Sequence, residues 1–169
     1  KNLKTQMETA FHRALIRESG SGWTVKRIDS LFAVTHTLKA AKGGSYLPTP
    51  ASLAHPSCGV INMRNEDQEC FRWCMLYHQS DQKDKTHRTT VLAKLTDKYD
   101  YSEVTYPISF DQVAHFENTN QVTINIWRIG EDKTTYMSHP GNGLHCRGGI
   151  VNLLLVENEE GDAHYIYIK

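Results

Sequence analysis

Residues 65–78 read NEDQECFRWCMLYH, a polar turn followed from Cys70 by a mainly apolar stretch. The apolar side chains recur at the spacing of one helical face, as at Phe71, Cys74 and Met75. The pattern predicts a helix that begins at Cys70, directly after the turn, and packs one face against the rest of the domain.

Cys70 is a candidate nucleophile because of this position. At the start of a helix, the positive end of the helix dipole and unpaired backbone N–H groups lower the pKa of a thiol and stabilise its thiolate. The same N–H groups can stabilise the oxyanion of a tetrahedral intermediate, and Asn65, five residues upstream, can supply a further donor. The alternative is that Cys70 is a small buried residue at a helix start.

The segments upstream predict one helix and an irregular lead-in. Residues 5–18 carry an apolar stripe typical of an amphipathic helix, which ends in a flexible joint of Gly and Ser. Residues 23–40 fit either a strand or a helix. The glycines and prolines of residues 41–57 predict an extended, irregular segment. Residues 1–22 are therefore interpreted as an N-terminal helix and joint, and 23–169 as one globular domain.

Downstream of this region, the pattern changes from helical to strand-like. Residues 79–90 are strongly polar and predict a surface loop, whereas 91–96 fit either the extension of a helix or the start of another. Another helix is expected after an N-cap at Ser109 or Asp111. Helices followed by strands predict an α+β fold, here with an antiparallel meander. The predicted strands are β-branched or alternating segments at 122–129, 134–138, 150–157 and 163–169.

Asp162 and His164 open the last predicted strand. Residues i and i+2 of a strand point to the same face, so these side chains are expected side by side. The carboxylate can then bind one imidazole nitrogen while the other faces a nucleophile, as a catalytic triad requires. The alternative is a turn-capping Asp beside an edge-strand His. A cysteine on an early helix and a histidine on a late strand are typical of papain-like cysteine proteases, so we predict a papain-like fold with Cys70, His164 and Asp162 as catalytic residues.

The composition limits the functions open to the chain. Lys plus Arg and Asp plus Glu balance at 19 each, which disfavours a dedicated nucleic-acid or membrane-surface binder. No run approaches the roughly 20 apolar residues that a membrane span requires. The four cysteines and the absence of an Asn-x-Ser/Thr sequon favour a reducing, intracellular compartment.

A zinc site at Cys70, Cys74 and His78, completed by Cys58 or Cys146, is the other chemistry that the spacing permits. Structural zinc normally uses cysteine pairs two to four residues apart on turns, whereas the first three of these residues share a predicted helix. We therefore predict no metal and no other cofactor.

Several motifs in combination resemble one known family. They are GGSYLP at 43–48, INMRNEDQECFRW at 61–73, YPIS at 106–109, INI at 124–126, IVNLLL at 150–155 and HYIYIK at 164–169. This combination resembles a module of Polinton/Maverick-type transposable elements and related viral-like proteins. That module is similar to the viral-tegument-like deubiquitinases, papain-fold enzymes related to the herpesvirus large-tegument-protein protease.

The resemblance implies a deubiquitinase whose partner is ubiquitin or a ubiquitin-like protein. It implies Cys70 as nucleophile, His164 as base, Asn65 as oxyanion donor, and Asp162 or a residue beyond Lys169 as the third catalytic member. We further expect an intracellular monomer without nucleic-acid or membrane partners. Two alternatives stay open: a protease of the same fold that processes an element-encoded polyprotein, and a catalytically degenerate protein-binding domain.

Overall fold

The computed structural model describes residues 44, 46–80, 88–130, 132–143 and 149–169. The helix predicted at 5–18 and the undecided segment at 23–40 lie outside the described residues, as does the boundary predicted between 1–22 and 23–169. None of the helices in the described part of the chain is long and apolar enough to cross a membrane.

Within these residues the structure has three α-helices. They are α1 (Cys70–Gln79), α2 (Thr89–Leu92) and α3 (Phe110–Asn120). The helix predicted to begin at Cys70 is confirmed, whereas the one predicted at 91–96 begins earlier and spans only four residues. Ser109, not Asp111, caps α3. Its hydroxyl accepts a hydrogen bond from the Gln112 N–H, and the Gln112 side chain accepts one from the Ser109 N–H, each at 3.3 Å.

The strands of the described residues form one mixed sheet. They are β1 (Val60–Ile61), β2 (Thr123–Ile129), β3 (Thr135–His139), β4 (Ile150–Glu157) and β5 (Ala163–Ile168). Their order across the sheet is β1-β5-β4-β2-β3, with β2 and β4 parallel and the other neighbours antiparallel. The α+β class and the four predicted strands are confirmed, but the predicted antiparallel meander is wrong.

The departure from a meander lies in the connection from β3 to β4. After the β2–β3 hairpin, the chain crosses the start of β2 and begins β4 on its other side. The buried Glu117 carboxylate of α3 holds this crossing, because it accepts hydrogen bonds from the N–H of Ile124 at 2.7 Å and of Asn142 at 3.3 Å. Gly141 runs so close that a Cβ there would lie 2.5 Å from the Thr123 side chain. The strand order is therefore decided by contacts between residues that are distant in the sequence. The sequence pattern of a single strand gives no information about such contacts.

Each face of the sheet is covered by a different part of the chain. On one face, α1 contributes Phe71, whose ring meets the Tyr165 ring edge-on at 5.9 Å between centroids. On the other face, Leu154 and Ile166 form a smaller apolar cluster against residues of the lead-in, including Leu47. Strand β5 therefore lies between the helix and the lead-in, and both can bring side chains to it.

Candidate active site

The Cys70 thiol lies at the first residue of α1, against strand β5. Cys70 is 4% exposed, and its Sγ accepts a hydrogen bond from the backbone N–H of Tyr165 at 3.4 Å. One turn later, the Cys74 thiol donates to the Tyr165 carbonyl at 3.5 Å. Strand β1 pairs with β5 only as far as Tyr167, so these thiols satisfy the backbone of Tyr165 beyond the end of β1. The start of α1 is thereby held at the peptide bond that joins His164 to Tyr165.

Burial raises the pKa of Cys70 from 9.0 to about 11. Hydrogen bonds from the backbone N–H groups of Tyr165 and Phe71 lower this pKa by less, and the nearby Asp67 carboxylate raises it. The prediction of a thiol with a lowered pKa is therefore wrong, because the loss of hydration outweighs the effect of the helix start. At neutral pH the Cys70 side chain is a neutral thiol.

The His164 ring is fully buried and is oriented by Asn62. Its Nε2 lies 2.8 Å from the Asn62 side-chain oxygen. The Asn62 amide nitrogen donates to the Leu47 carbonyl at 2.8 Å and to the Thr49 hydroxyl at 3.0 Å, which fixes the amide so that its oxygen faces the ring. Because that oxygen only accepts hydrogen bonds, Nε2 carries the proton and Nδ1 does not.

The second ring nitrogen of His164, Nδ1, is without a hydrogen-bond partner in the described part of the chain. Nδ1 is buried and makes no hydrogen bond to any of the described residues. Burial lowers the pKa of His164 from 6.5 to about 4. The nearby Gly44 backbone carbonyl opposes this effect to a smaller extent, because it can accept a hydrogen bond from the protonated ring, although no such bond is formed in the resting geometry. The Tyr46 ring meets the imidazole edge-on at 5.9 Å between centroids. His164 is therefore a neutral base at physiological pH, with an unprotonated nitrogen available.

Cys70 and His164 are linked through the backbone of β5. Sγ is hydrogen bonded to the N–H of the peptide bond that follows His164, while the imidazole contacts Asn62 and Tyr46. No hydrogen bond joins Sγ to the ring among the described residues. The structure thus brings the predicted nucleophile and the predicted base to one peptide bond, with a neutral thiol and a bare ring nitrogen.

Asp162 takes part in a turn and not in a hydrogen bond to His164. Its backbone N–H donates to the Asn158 side-chain oxygen at 2.8 Å, and its carboxylate accepts from the Asn158 side-chain nitrogen at 3.2 Å. Among the described contacts, Asn62 therefore makes the hydrogen bond to the imidazole that the sequence predicted for Asp162. A catalytic role for Asp162 stays a prediction, and the turn-capping alternative accounts for its observed contacts.

Asn65 shapes the turn that precedes Cys70. Its amide nitrogen lies within hydrogen-bond distance of three acceptors, namely the Gly44 carbonyl at 2.6 Å and the Asp67 carbonyl and carboxylate at 2.8 and 2.9 Å. An amide has two hydrogens, so none is left for an oxyanion in this arrangement. Gly44 is needed for the same contact, because a Cβ there would lie 2.2 Å from the Gln68 carbonyl oxygen. The role predicted for Asn65 as oxyanion donor is therefore not seen.

The residues of the alternative zinc site bind other groups. Besides the contacts of both α1 thiols with Tyr165, the His78 Nδ1 pairs with the Tyr167 hydroxyl at 3.0 Å. Cys146 lies outside the described residues, and Cys58 contacts the Ser52 carbonyl at 3.9 Å. Across the described ranges, no group of three or more His, Cys, Asp or Glu side chains is arranged to hold a metal ion.

Sequence reasoning did not select Asn62 as a site residue. In the sequence, Asn62 is a polar residue directly after the apolar pair Val60–Ile61. A polar residue in that position is common at the end of any strand, so it does not indicate a site. The partner of Asn62 is 102 positions away in the sequence, so only the fold reveals the pair. Comparisons of this chain with protein-family models, curated proteins and solved structures found no match.

Proposed function

We propose that this chain is a cysteine peptidase with a papain-like arrangement, in which Cys70 is the nucleophile, His164 the base and Asn62 the residue that orients the base. One observation carries the proposal: Asn62 fixes the proton on Nε2 of a buried histidine whose Nδ1 has no hydrogen-bond partner among the residues that the structure describes. A buried polar atom without a hydrogen bond costs roughly 1–3 kcal/mol. His164 precedes the peptide N–H that binds the Cys70 thiol at a helix start, and a role in proton transfer explains why its Nδ1 is left without a bond.

In the proposed reaction, Sγ turns from the Tyr165 N–H toward Nδ1 and gives up its proton there as it attacks the carbonyl carbon of the substrate. The oxyanion forms at the start of α1, where the Cys70 backbone N–H donates to it. As the tetrahedral intermediate collapses, Nδ1–H returns the proton to the leaving amine and an acyl thioester remains on Cys70. Water then attacks the thioester while Nδ1 takes its proton, and release of the carboxylic acid product restores the thiol.

The proton positions at rest decide how this reaction starts. With a pKa of about 11 for Cys70 and about 4 for His164, both side chains are uncharged throughout the physiological range. The enzyme therefore does not start from a thiolate–imidazolium pair, and His164 acts as a general base during the attack. Asn62 accepts the Nε2–H bond in both protonation states of the ring, so it holds the ring in place as the proton arrives.

Ubiquitin or a ubiquitin-like protein is the proposed substrate. This part of the proposal depends on the motifs that resemble the viral-tegument-like deubiquitinases. The bond that is cut joins the C-terminal glycine of ubiquitin to a lysine amine of the modified protein. The papain-like fold is proposed on the same motifs, together with the packing of α1 on the sheet beside β5.

A ubiquitin probe whose C-terminus carries an electrophile tests the nucleophile and the substrate together. Wild-type protein should couple to the probe, and Cys70→Ala should not. Cys58→Ala is the matched control and should couple like wild type, because Cys58 contacts the Ser52 carbonyl and not the His164 site. If ubiquitin-like probes fail but an electrophilic peptide labels Cys70, the substrate is wrong and the peptidase stands. Absence of labelling by either probe would contradict the peptidase.

A further inference from the structure

A cavity of about 530 Å³ opens beside the His164–Asn62 pair. The Asn62 side chain connects the cavity to His164, since it lines the cavity and also binds the imidazole. The other described residues that line the cavity are polar, basic or aromatic, and none is acidic. They are Tyr46, Thr49, Arg64, Arg88, Thr89 and Thr90.

The cavity brings together two arginines that have no carboxylate partner among the described residues. The structure describes four arginines, and the other two are paired: Arg72 with Asp97 at 2.7 Å, and Arg128 with Glu157. Arg64 lies over the Tyr46 ring, 5.5 Å from its centroid, a contact that holds the guanidinium at the wall of the cavity. The cavity therefore offers positive charge that the described part of the protein does not neutralise.

Hydroxyl groups add hydrogen-bond donors to this charge. The Thr49 oxygen accepts from the Asn62 amide, so the hydroxyl hydrogen of Thr49 remains available to a ligand. Guanidinium groups bind carboxylates through paired N–H donors, a geometry that a neutral side chain cannot reproduce. Two guanidiniums and a hydroxyl, without an acidic neighbour among the described lining residues, suit a carboxylate.

We propose that this cavity binds an acidic side chain of the peptide substrate, with Arg64 and Arg88 as the residues that recognise it. Asn62 joins the cavity to His164 on the Nε2 side of the ring, so this inference rests on the proposed peptidase. A peptide is favoured over a nucleic acid because the chain as a whole has no basic excess, with 19 basic and 19 acidic residues. The terminal glycine of ubiquitin has no side chain, so in a ubiquitin-modified substrate the acidic side chain belongs to the modified protein.

Binding to Cys70→Ala protein tests the cavity without any need for catalysis. The probes are two fluorescein-labelled decapeptide libraries with random flanking residues, one with glutamate and one with glutamine at the central position. Fluorescence polarisation should give a dissociation constant at least about tenfold lower for the glutamate library. Arg64→Gln together with Arg88→Gln should abolish this difference. Lys133→Gln, which removes one positive charge from the exposed turn between β2 and β3, should retain it.

Equal affinity for the two libraries, or no measurable binding of either, would overturn the inference. Tighter binding of a single-stranded oligonucleotide that displaces the glutamate library would overturn it in favour of nucleic acid. The failure of the proposed peptidase is distinguished by a different result. If the glutamate library binds more tightly but no electrophilic probe labels Cys70, the cavity binds acidic peptides and the peptidase proposal is wrong. If wild type cleaves peptides without any preference for acidic residues, the peptidase stands and the inference about the cavity is wrong.

Discussion

His139 and His164 are two histidines whose Nε2 atoms pair with a side chain from another part of the chain. The Nε2 of His139 lies 3.1 Å from the Glu117 carboxylate, and its ring stacks on Phe110 with 4° between the planes. The Nε2 of His164 lies 2.8 Å from the amide oxygen of Asn62, and its Nδ1 has no partner among the described residues. His139 thus joins an acid that also binds two backbone N–H groups, whereas His164 joins a neutral amide.

The difference separates a histidine that supports the fold from one that is available for chemistry. Glu117 fixes the connection between β3 and β4, and His139 adds one more contact to that structural carboxylate. Asn62 orients His164 but supplies no negative charge, so burial keeps the ring neutral. A neutral, oriented ring with one bare nitrogen is what a general base requires.

The largest expected difference is in activity. His164→Ala should lower kcat/KM by about 10⁴-fold, because the proton acceptor is lost. His139→Ala should leave kcat/KM within about twofold of wild type and lower the free energy of unfolding by about 1–2 kcal/mol, through the lost hydrogen bond and ring contact. Hydrolysis of a fluorogenic substrate and urea unfolding measure the two effects. Similar losses of activity per folded molecule in both variants would remove the distinction between the two histidines.

The next effect is on stability in acid. The pKa of His164 is about 4 in the folded state and 6.5 in the unfolded chain, so below pH 6.5 the unfolded chain binds a proton that the folded protein does not. Stability is therefore lost as the pH falls from 6.5 to about 4, by about 3 kcal/mol in total. Urea unfolding at pH 7.5, 5.5 and 4.5 should show this loss in wild type and a loss smaller by about that amount in His164→Gln. Parallel losses in the two proteins would mean that His164 is not buried as a neutral ring.

A smaller effect separates Asn62 from Asp162. Asn62→Ala should lower kcat by about 10- to 100-fold with a smaller change in KM, because the ring loses its orientation while Arg64 and Arg88 still bind the substrate. Asp162→Ala should leave a rate closer to that of wild type, since the observed contacts of Asp162 are with Asn158. Asn62→Asp should move the acidic limb of the pH–rate profile to higher pH, because a carboxylate favours the imidazolium. A greater loss in Asp162→Ala than in Asn62→Ala would restore Asp162 as the third catalytic member.

Local sequence patterns predicted the elements that depend on local contacts. The helix at Cys70 follows from a polar turn and a helical face, and the cap at Ser109 follows from a short-range hydrogen-bond exchange with Gln112. The strands are bounded by turn residues and carry β-branched side chains. Each of these signals lies within a few residues of the element that it specifies.

The features that were missed depend on contacts between distant residues. The crossing after β3 is held by Glu117, which the sequence shows only as one acidic residue on a predicted helix. The raised pKa of Cys70 comes from burial against β5, which outweighs the local effect of the helix start. Asn62 and His164 are far apart in the sequence, and the Asp-x-His spacing offered a nearer partner that the fold does not use. Pairing and burial in three dimensions, not local propensity, decide these points.

The most direct test of the Cys70–His164 pair is the rate at which iodoacetamide alkylates Cys70 at pH 7. Peptide mass spectrometry resolves the two sites, so Cys58 serves as an internal reference within each protein. His164→Gln retains a side-chain amide in place of the ring but removes the base. We predict that the Cys70-to-Cys58 rate ratio falls at least about tenfold in His164→Gln, because a neutral thiol needs Nδ1 to take its proton. An unchanged ratio would show that His164 does not activate Cys70 and would contradict the proposed enzyme at its centre.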